Sequence, residues 1–467
     1  MPKRPSLDHR QLEERLKQVL ARSGPLQASE AYQELRISQP TFSRLLSRLK
    51  NQILQVGKGQ RTRYALRGFL LEGHTEIPVY AVTEEGTTEL IATLHGIQPK
   101  GYYLKSNSET VLSNFYEGLP YLFEDLRPSG FLGRLIPRIH PDLKLPDNIQ
   151  NWNDTHCLQY LTQYGWDLIG NYIIGEGAFE RYLQNTIKPP DVIPHEIRME
   201  RYPELAEQVM SAGIPGSSAA GEHPKFLVLR KDRERFTRVL VKFSPPLGEA
   251  ISQRVADLLI CEHVAHQVLR AHGQIAATSC LITGGNRIFL EMERFDRTLK
   301  GRKGLLSLRS LDLQFVGRLN SWTDTAEELF SQKRIDGAAL QNIRWLEIFG
   351  RLIGNTDMHH GNLSFFHEEE KLMGLAPVYD MLPMLYAPQQ NQIIPRNFQP
   401  SFPKASEMSV WTGAWKAACD FWMRVMSHEQ ISNQFREMAG ENLKILAEWE
   451  KLVERLPKKN QRDPERS

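Results

Sequence analysis

The chain has 467 residues, 41% of them apolar and 24% charged, with a formal net charge of +3. That length exceeds a single hydrophobic core and suits two to four domains, and the composition excludes a disordered or low-complexity chain. The four cysteines, Cys157, Cys261, Cys280 and Cys419, form no CxxC pair, which argues against a disulfide frame or zinc site and for reduced thiols. No signal-peptide core and no run long enough to span a bilayer is present, so a soluble, cytoplasmic protein is expected.

Charge is unevenly placed. Residues 1–67 carry 14 Lys/Arg against 5 Asp/Glu, a net of +9, and the other 400 residues carry a net of −6. A basic module on a mildly acidic body points the N-terminus toward nucleic acid. "LEERLKQVLARSG" has helical apolar spacing and stops at Gly24. "ASEAYQELR" reads as a second helix with Ser29 as N-cap. Ser38 caps a third, "QPTFSRLLSRLKNQ", in which Pro40 suits the first turn and Phe42, Leu46 and Leu49 form the buried stripe. "ILQVGKGQRTRYALR" reads as a basic hairpin. Three helices followed by a basic hairpin look like a winged helix-turn-helix over residues 1–70. In that motif Gln39, Thr41 and Arg44 face the bases, while Lys58, Arg61 and Arg63 clamp the backbone.

From about residue 78, "IPVYAVTEEGTTELIATLHGI" alternates as a β-hairpin. "YLFEDLRPSGFLGRLI" is helical up to Arg127-Pro128 and breaks at Ser129-Gly130, and residues 141–156 read as a polar connection. A small β-containing subdomain is expected at 71–150, an N-lobe at 151–304 and a mostly α C-terminal lobe at 305–467. The tail "PKKNQRDPERS" is charged and expected to fray.

Three segments carry chemistry. "SAGIPGSSAAGEHPKFLVL" (211–229) places Gly213, Gly216 and Gly221 with Ser217 and Ser218 in a loop able to cradle phosphate with its amides, and Lys225 stands at its exit. "FTRVLVKFSPP" is a strand with Lys242 among apolar residues, where it must snorkel or meet an anion. Glu262 follows twenty residues later in an apolar helix, and a strand Lys paired to a helix Glu is how kinases hold their phosphate-binding lysine.

The third is "GNTDMHHGNLSFF" (354–366). A helix stops at Gly354-Asn355, which leaves Asp357 on a loop. The strands "NLSFFH" and "KLMGLAPVYD" form a hairpin around the turn Glu368–Glu370, which makes Asn362 and Asp380 neighbours. Asp357 and Asn362 have the D-x-x-x-x-N spacing of a kinase catalytic loop. There the first Asp takes the nucleophile's proton, and the Asn and the later Asp hold magnesium. The loop, lysine, glutamate and catalytic segment occur in kinase order, which points to phosphoryl transfer.

At this point the sequence resembles the HipA family, serine/threonine kinase toxins of type II toxin–antitoxin systems. "LFEDLRPSGFLGRL", "GSSAAGEHPKF", "LVKFSPP", "LEMERFDR", "NTDMHHGNLSFF" and "PVYDMLP" match that family's motifs in order. The resemblance implies an α+β, kinase-like, two-lobed body behind the winged helix-turn-helix. It implies ATP and Mg²⁺ as cofactors, Asp357 as the catalytic residue, and Asn362 and Asp380 as metal ligands. Lys242, with Glu262 and Lys225, would serve the ATP phosphates, and Glu293 to Phe295 would face adenine. Ser218, with Ser217 next, aligns with the serine that family members autophosphorylate. The implied partners are DNA, an unidentified protein substrate and a HipB-type antitoxin. Two features depart from the pattern. Gly361 stands where the family commonly has Lys, with His359 and His360 as candidate auxiliary groups, and a DNA-binding module is fused in front. The alternatives are a DNA-binding regulator on a degenerate kinase body, and a metal-dependent nuclease using Asp357, His359, His360 and Asp380.

Overall fold

The computed structural model describes residues 9–57, 62–107, 113–189, 192–211 and 223–455. The first unit has its own core. α1 (His9–Ser23) buries Leu12, Leu16 and Leu20 at helical spacing. The two-residue strand β1 (Leu26–Gln27) runs directly into α2 (Ala28–Leu35). The cap of α2 is therefore Gln27, in a reciprocal capping box with Glu30, and the expected cap Ser29 already lies inside the first turn. α3 (Gln39–Arg48) starts at Ser38, whose side chain accepts from the Thr41 amide. It buries Phe42 and Leu45, with Leu49 beyond its end, and Leu46 is only half-buried, which shifts the expected stripe by one position. β2 (Ile53–Val56) and β3 (Arg63–Gly68) pair antiparallel with Ile53 opposite Leu66, and β1 flanks β3 on its other edge.

β3 does not end with this unit. Its last residues, Arg67 and Gly68, pair with Ile97 and Gly96. The strands approach so closely there that a Cβ on Gly96 would lie 3.0 Å from the Gly68 carbonyl carbon, which explains glycine at that crossing. The second unit contains β4 (Glu76–Val82), β5 (Thr88–Ile97), β6 (Tyr102–Ser106) and β7 (Asn114–Tyr116). Residues Tyr121–Leu126 form a 3₁₀ helix rather than a full α-helix, and α4 (Gly130–Ile139) begins after Ser129. α5 (Asp154–Tyr164), β8 (Tyr172–Ile174) and α6 (Glu176–Ile187) follow. β8 pairs with β4, so this segment adds to the second unit's sheet.

The third unit contains β9 (Val192–Pro194), α7 (Arg198–Ser211), β10 (Lys225–Asp232) and β11 (Arg235–Phe243). It continues with α8 (Ala250–Ala271), β12 (Ser279–Gly284) and β13 (Arg287–Glu293). Strand order is β12-β13-β11-β10-β9. One face buries Val239, Val241 and Phe243 with Tyr202 and Ala206 of α7. The other carries Leu240 and Lys242 toward α8, because side chains alternate along a strand.

The last unit holds the small sheet of β14 (Gly304–Ser307), β15 (Ser364–Glu368) and β16 (Lys371–Leu375). Its helices are α9 (Leu308–Phe315), α10 (Trp322–Ser331), α11 (Gly337–Leu352), α12 (Met408–Ser427), α13 (Asn433–Ala447) and α14 (Glu450–Arg455). Trp411, Phe421 and Trp422 of α12 are fully buried, as the amphipathic pattern predicts. No helix among the described residues is long and apolar enough to cross a membrane.

Candidate functional site

The site is assembled around Lys242. Its side chain lies on the α8-facing side of β11, and only 3% of the residue is exposed. The ammonium donates to both Glu262 oxygens at 2.7 Å and also contacts the Asp380 carboxylate. Glu262 is fully buried on α8, and its Oε1 also accepts from the Asp380 amide at 3.2 Å. One lysine thus joins strand, helix and the segment after β16. Burial pushes the Glu262 carboxyl up, with the Lys242 charge opposing it. Burial also disfavours the Lys242 ammonium, but Asp380 and then Glu262 outweigh that, and it is held above its ordinary value. At Asp380 the desolvating surroundings oppose ionisation, yet Lys242 and then Lys225 hold the carboxyl well below the usual range. Lys225, at the start of β10, stands directly opposite Lys242 in the strand register.

The connection after α11 is organised by Asn355, which is 4% exposed. Its Oδ1 accepts from the Asp357 amide at 3.0 Å, and its Nδ2 donates to the Asp380 carbonyl at 3.3 Å. The Asn362 Nδ2 donates to the Asp357 carbonyl at 2.9 Å, which leaves Oδ1 as the amide's electron-rich end. Tyr379 closes the hairpin, donating to the Gly361 carbonyl at 2.6 Å and bonding the Ser364 hydroxyl. The segments bearing Asp357, Asn362 and Asp380 therefore share one hydrogen-bonded frame. Asp380 itself has a φ of +52°, a left-handed conformation that Asp tolerates better than most residues.

The two histidines part company. His360 is buried, and its Nε2 meets the Thr325 hydroxyl at 2.9 Å, which in turn donates to Asp312. Burial lowers its pKa, so it is a neutral interior group and not a source of charge at the loop surface. His359 is exposed, and its Nδ1 accepts from the Gly361 amide at 3.1 Å. A Cβ on Gly361 would lie 3.0 Å from that nitrogen, so the imidazole occupies the space a side chain at 361 would enter.

Glu293 ends β13, and its carboxylate pairs with Arg230 at 3.0 Å and lies 4.0 Å from Arg235. The Phe295 ring lies 5.7 Å from that of Tyr379. Sequence reasoning missed Asn355 and Tyr379 as organisers. It also missed His223, at the entrance to β10, which desolvation and then Lys242 and Lys225 lower to about 3. Ser217, Ser218 and the loop glycines Gly213, Gly216 and Gly221 lie outside the described residues, as do Lys58 and Arg61 of the N-terminal hairpin. Gln39, Arg44 and Arg63 are exposed, and Thr41 is half-buried with its hydroxyl 2.9 Å from that of Ser38.

Residues 73–183 match the family model "YjjJ-like toxin, middle domain", and residues 217–456 match "HipA-like C-terminal domain". The chain is 36% identical over 438 residues to Toxin YjjJ of Escherichia coli, covering 93% of this chain and 97% of that one. Among solved structures it is similar to HipA of Shewanella oneidensis, determined in a complex of HipA, HipB and operator DNA. That match has a TM-score of 0.47 and 16% identity, covering 79% of this chain and 95% of the other. It is also similar to the Helicobacter pylori proinflammatory kinase CtkA, with a TM-score of 0.35 and 15% identity, covering 49% and 92%. On the two family models and the full-length relative, the chain belongs to the HipA-like family of toxins.

Proposed function

We propose that the chain is a serine/threonine protein kinase toxin, dependent on ATP and Mg²⁺, that also binds DNA through an N-terminal winged helix-turn-helix. The observation that carries the kinase reading is the buried Lys242 held between Glu262 and Asp380. Taking the Lys242–Glu262 pair out of water costs several kcal/mol per ion, and apolar residues of similar volume would often serve stability as well. An anion-handling lysine in a strand, set by a helix glutamate, gives that cost a use.

The residues fit the cofactors. Asp380 is ionised and Asn362 offers an amide oxygen. One or two protein oxygens are what magnesium takes when it arrives with phosphates. Among the described residues no three His, Cys, Asp or Glu side chains converge as a self-sufficient metal cluster. Bound nucleotide would supply the phosphoryl group, with the metal offsetting its charge. Asp357, exposed and fixed through its backbone, is suited to accept the proton of a serine or threonine hydroxyl. Lys242, oriented by Glu262, would hold phosphate oxygens, with Lys225 beside it. Ser218 or Ser217 is the proposed autophosphorylation site. A phosphate there adds about −1.5 to −2 charge to a loop meant for phosphate and would silence the kinase. A HipB-type antitoxin is the proposed protein partner.

The test is transfer of labelled phosphate from ATP with Mg²⁺, comparing wild type with Asp357→Asn. Label on the protein that disappears in the variant supports the kinase. The absence of lysine at 361 favours a second reading, a DNA-binding regulator on a degenerate kinase body. Its signature is no label in either protein together with tight DNA binding. DNA binding is tested by gel retardation. Arg44→Ala should relax sequence preference, whereas Arg63→Ala should weaken all sequences and shallow the salt dependence.

A further inference from the structure

A second concentration of charge lies away from Lys242, in a cleft between α6 and the segment 293–302, with a volume of about 450 Å³. Its charged lining includes Arg235, Arg238, Arg294, Arg297, Lys300 and Arg302, against the single carboxylate of Glu293. Behind that lining, the carboxylates that Arg238, Arg294, Arg297 and Arg302 meet among the described residues are those of Asp167 and Asp296. Arg294 and Arg297 also donate to the backbone carbonyls of Asp167, Leu168 and Gly170. Asp167 meets Arg297 at 2.9 Å, Arg238 and Arg294 at 3.3 Å and Arg302 at 3.9 Å. Asp296 meets Arg297 at 2.7 Å and Arg294 at 2.9 Å. Glu293 cannot correct the balance, because Arg230 and Arg235 already claim it.

The excess is buried. Arg302 is 3% exposed, and one of its guanidinium nitrogens, Nη1, has no hydrogen-bond partner, although Nη2 reaches the Trp166 carbonyl at 2.6 Å. The Thr237 hydroxyl, also on the lining, is buried without a partner. Burial and then repulsion from Arg297 lower Arg302 to about 9, as expected where positive charge outnumbers its counterions. Unpaired buried charge is costly, and guanidinium groups match phosphate oxygens two at a time.

The rest of the cleft is not polar. Tyr182 lies beneath Arg302, with 4.7 Å from guanidinium carbon to ring centroid, and Leu229 lines the wall. Phe236 and Leu299 are 42% and 76% exposed at the mouth. A pocket of this size accommodates one small molecule. We propose that this cleft binds a small phosphate ester with an aromatic or apolar body, as a ligand site separate from that of Lys242. The cleft shares Glu293 with the segment proposed to face adenine, but Lys225, Lys242, Phe295, Tyr379 and Asp380 are not among its lining residues, and Arg238 lies four residues, about 13 Å along β11, from Lys242. The inference rests on this charge imbalance and stands whether or not the chain transfers phosphate.

The test is calorimetric titration of the full chain with phenyl phosphate and, separately, inorganic phosphate. Wild type is compared with Lys300→Glu, Arg302→Met and the double variant Lys242→Met with Glu262→Leu, which leaves no stranded buried charge in the Lys242 site. Saturable binding of phenyl phosphate is expected, roughly tenfold tighter than inorganic phosphate. Lys300→Glu and Arg302→Met should each weaken it about tenfold or more, and the double variant should leave it unchanged. Lys300 is exposed, so its variant keeps the test decisive should Arg302→Met fold poorly. Three results overturn the proposal: no saturable binding, equal affinity for the two anions, or binding lost in the folded double variant but retained in Lys300→Glu.

Discussion

Lys242 depends on its two carboxylates, and they depend on it. Removing one member of a buried ion pair strands the other, at a cost of about 3–5 kcal/mol, whereas replacing both with apolar residues is often neutral. Lys242→Met and Glu262→Ala should each lower the urea midpoint sharply. Lys242→Met combined with Glu262→Leu should be more stable than either single variant, because the partly exposed Asp380 can turn to water. A double variant no better than the worse single one would remove the pair from the account of stability. The pairing was legible in the sequence, since a lone lysine in an apolar strand needs an anion and an apolar helix followed with a glutamate. Asn355 was not legible as an organiser, because helix-stop asparagines are common and their hydrogen-bond partners depend on tertiary structure. Asn355→Ala leaves the Asp357 amide and Asp380 carbonyl short of a partner, for about 1–3 kcal/mol per group left unsatisfied. Denaturation should show that loss, and labelled-phosphate transfer, where present, should fall with it. His360 illustrates the same limit: Thr325, the residue that turns it inward, is 35 positions earlier in the chain.

Long periodic elements were read well from the sequence, and short ones were not. The predicted helices α1, α3, α8 and α11 are present because each repeats apolar residues over several turns. β1, β8 and β9 have two or three residues each, too few for a period, and exist because a neighbouring strand offers them hydrogen bonds. The same dependence moved the cap of α2 from Ser29 to Gln27. At this scale Phe42 is the test of the first unit. It is 1% exposed and packs edge-on against Tyr64 at 5.4 Å, so it ties α3 to β3. Phe42→Ala should cost about 3–5 kcal/mol in that small core. Gel retardation should show DNA binding lost, while phosphate transfer persists, since the Lys242 site shares no core residue with Phe42. Loss of both together would mean that the units do not fold independently.

Across the whole molecule, stability should respond to mild acid through histidines. Burial holds His95 and His367 down to about 4 and His266 to about 3. Unfolded imidazoles protonate near pH 6.5, so below that pH the unfolded chain binds more protons than the folded one, and stability falls. The loss should run from about pH 6.5 down to about 4 for His95 and His367 and to about 3 for His266 before levelling off, on the order of 1–2 kcal/mol per histidine by pH 5. Urea denaturation at pH 7 and pH 5 measures it, and His266→Gln should flatten the slope. Asp296 acts in a different window. Burial opposes its ionisation, but Arg294 and Arg297 hold it at about 2, so its contribution is lost only as pH falls below the ordinary carboxylate range toward that value.

β3 hands over from the sheet of the first unit to that of the second within a single strand, Arg63 through Gly68. No slack peptide lies at that crossing, so the first unit is mounted on the second rather than tethered to it. Its backbone amides should then relax in NMR with the slow rotational correlation time of the whole 467-residue particle, not with the fast one of a freely hinged module of its own size. A ligand gripping either end would therefore carry the other along as a rigid load.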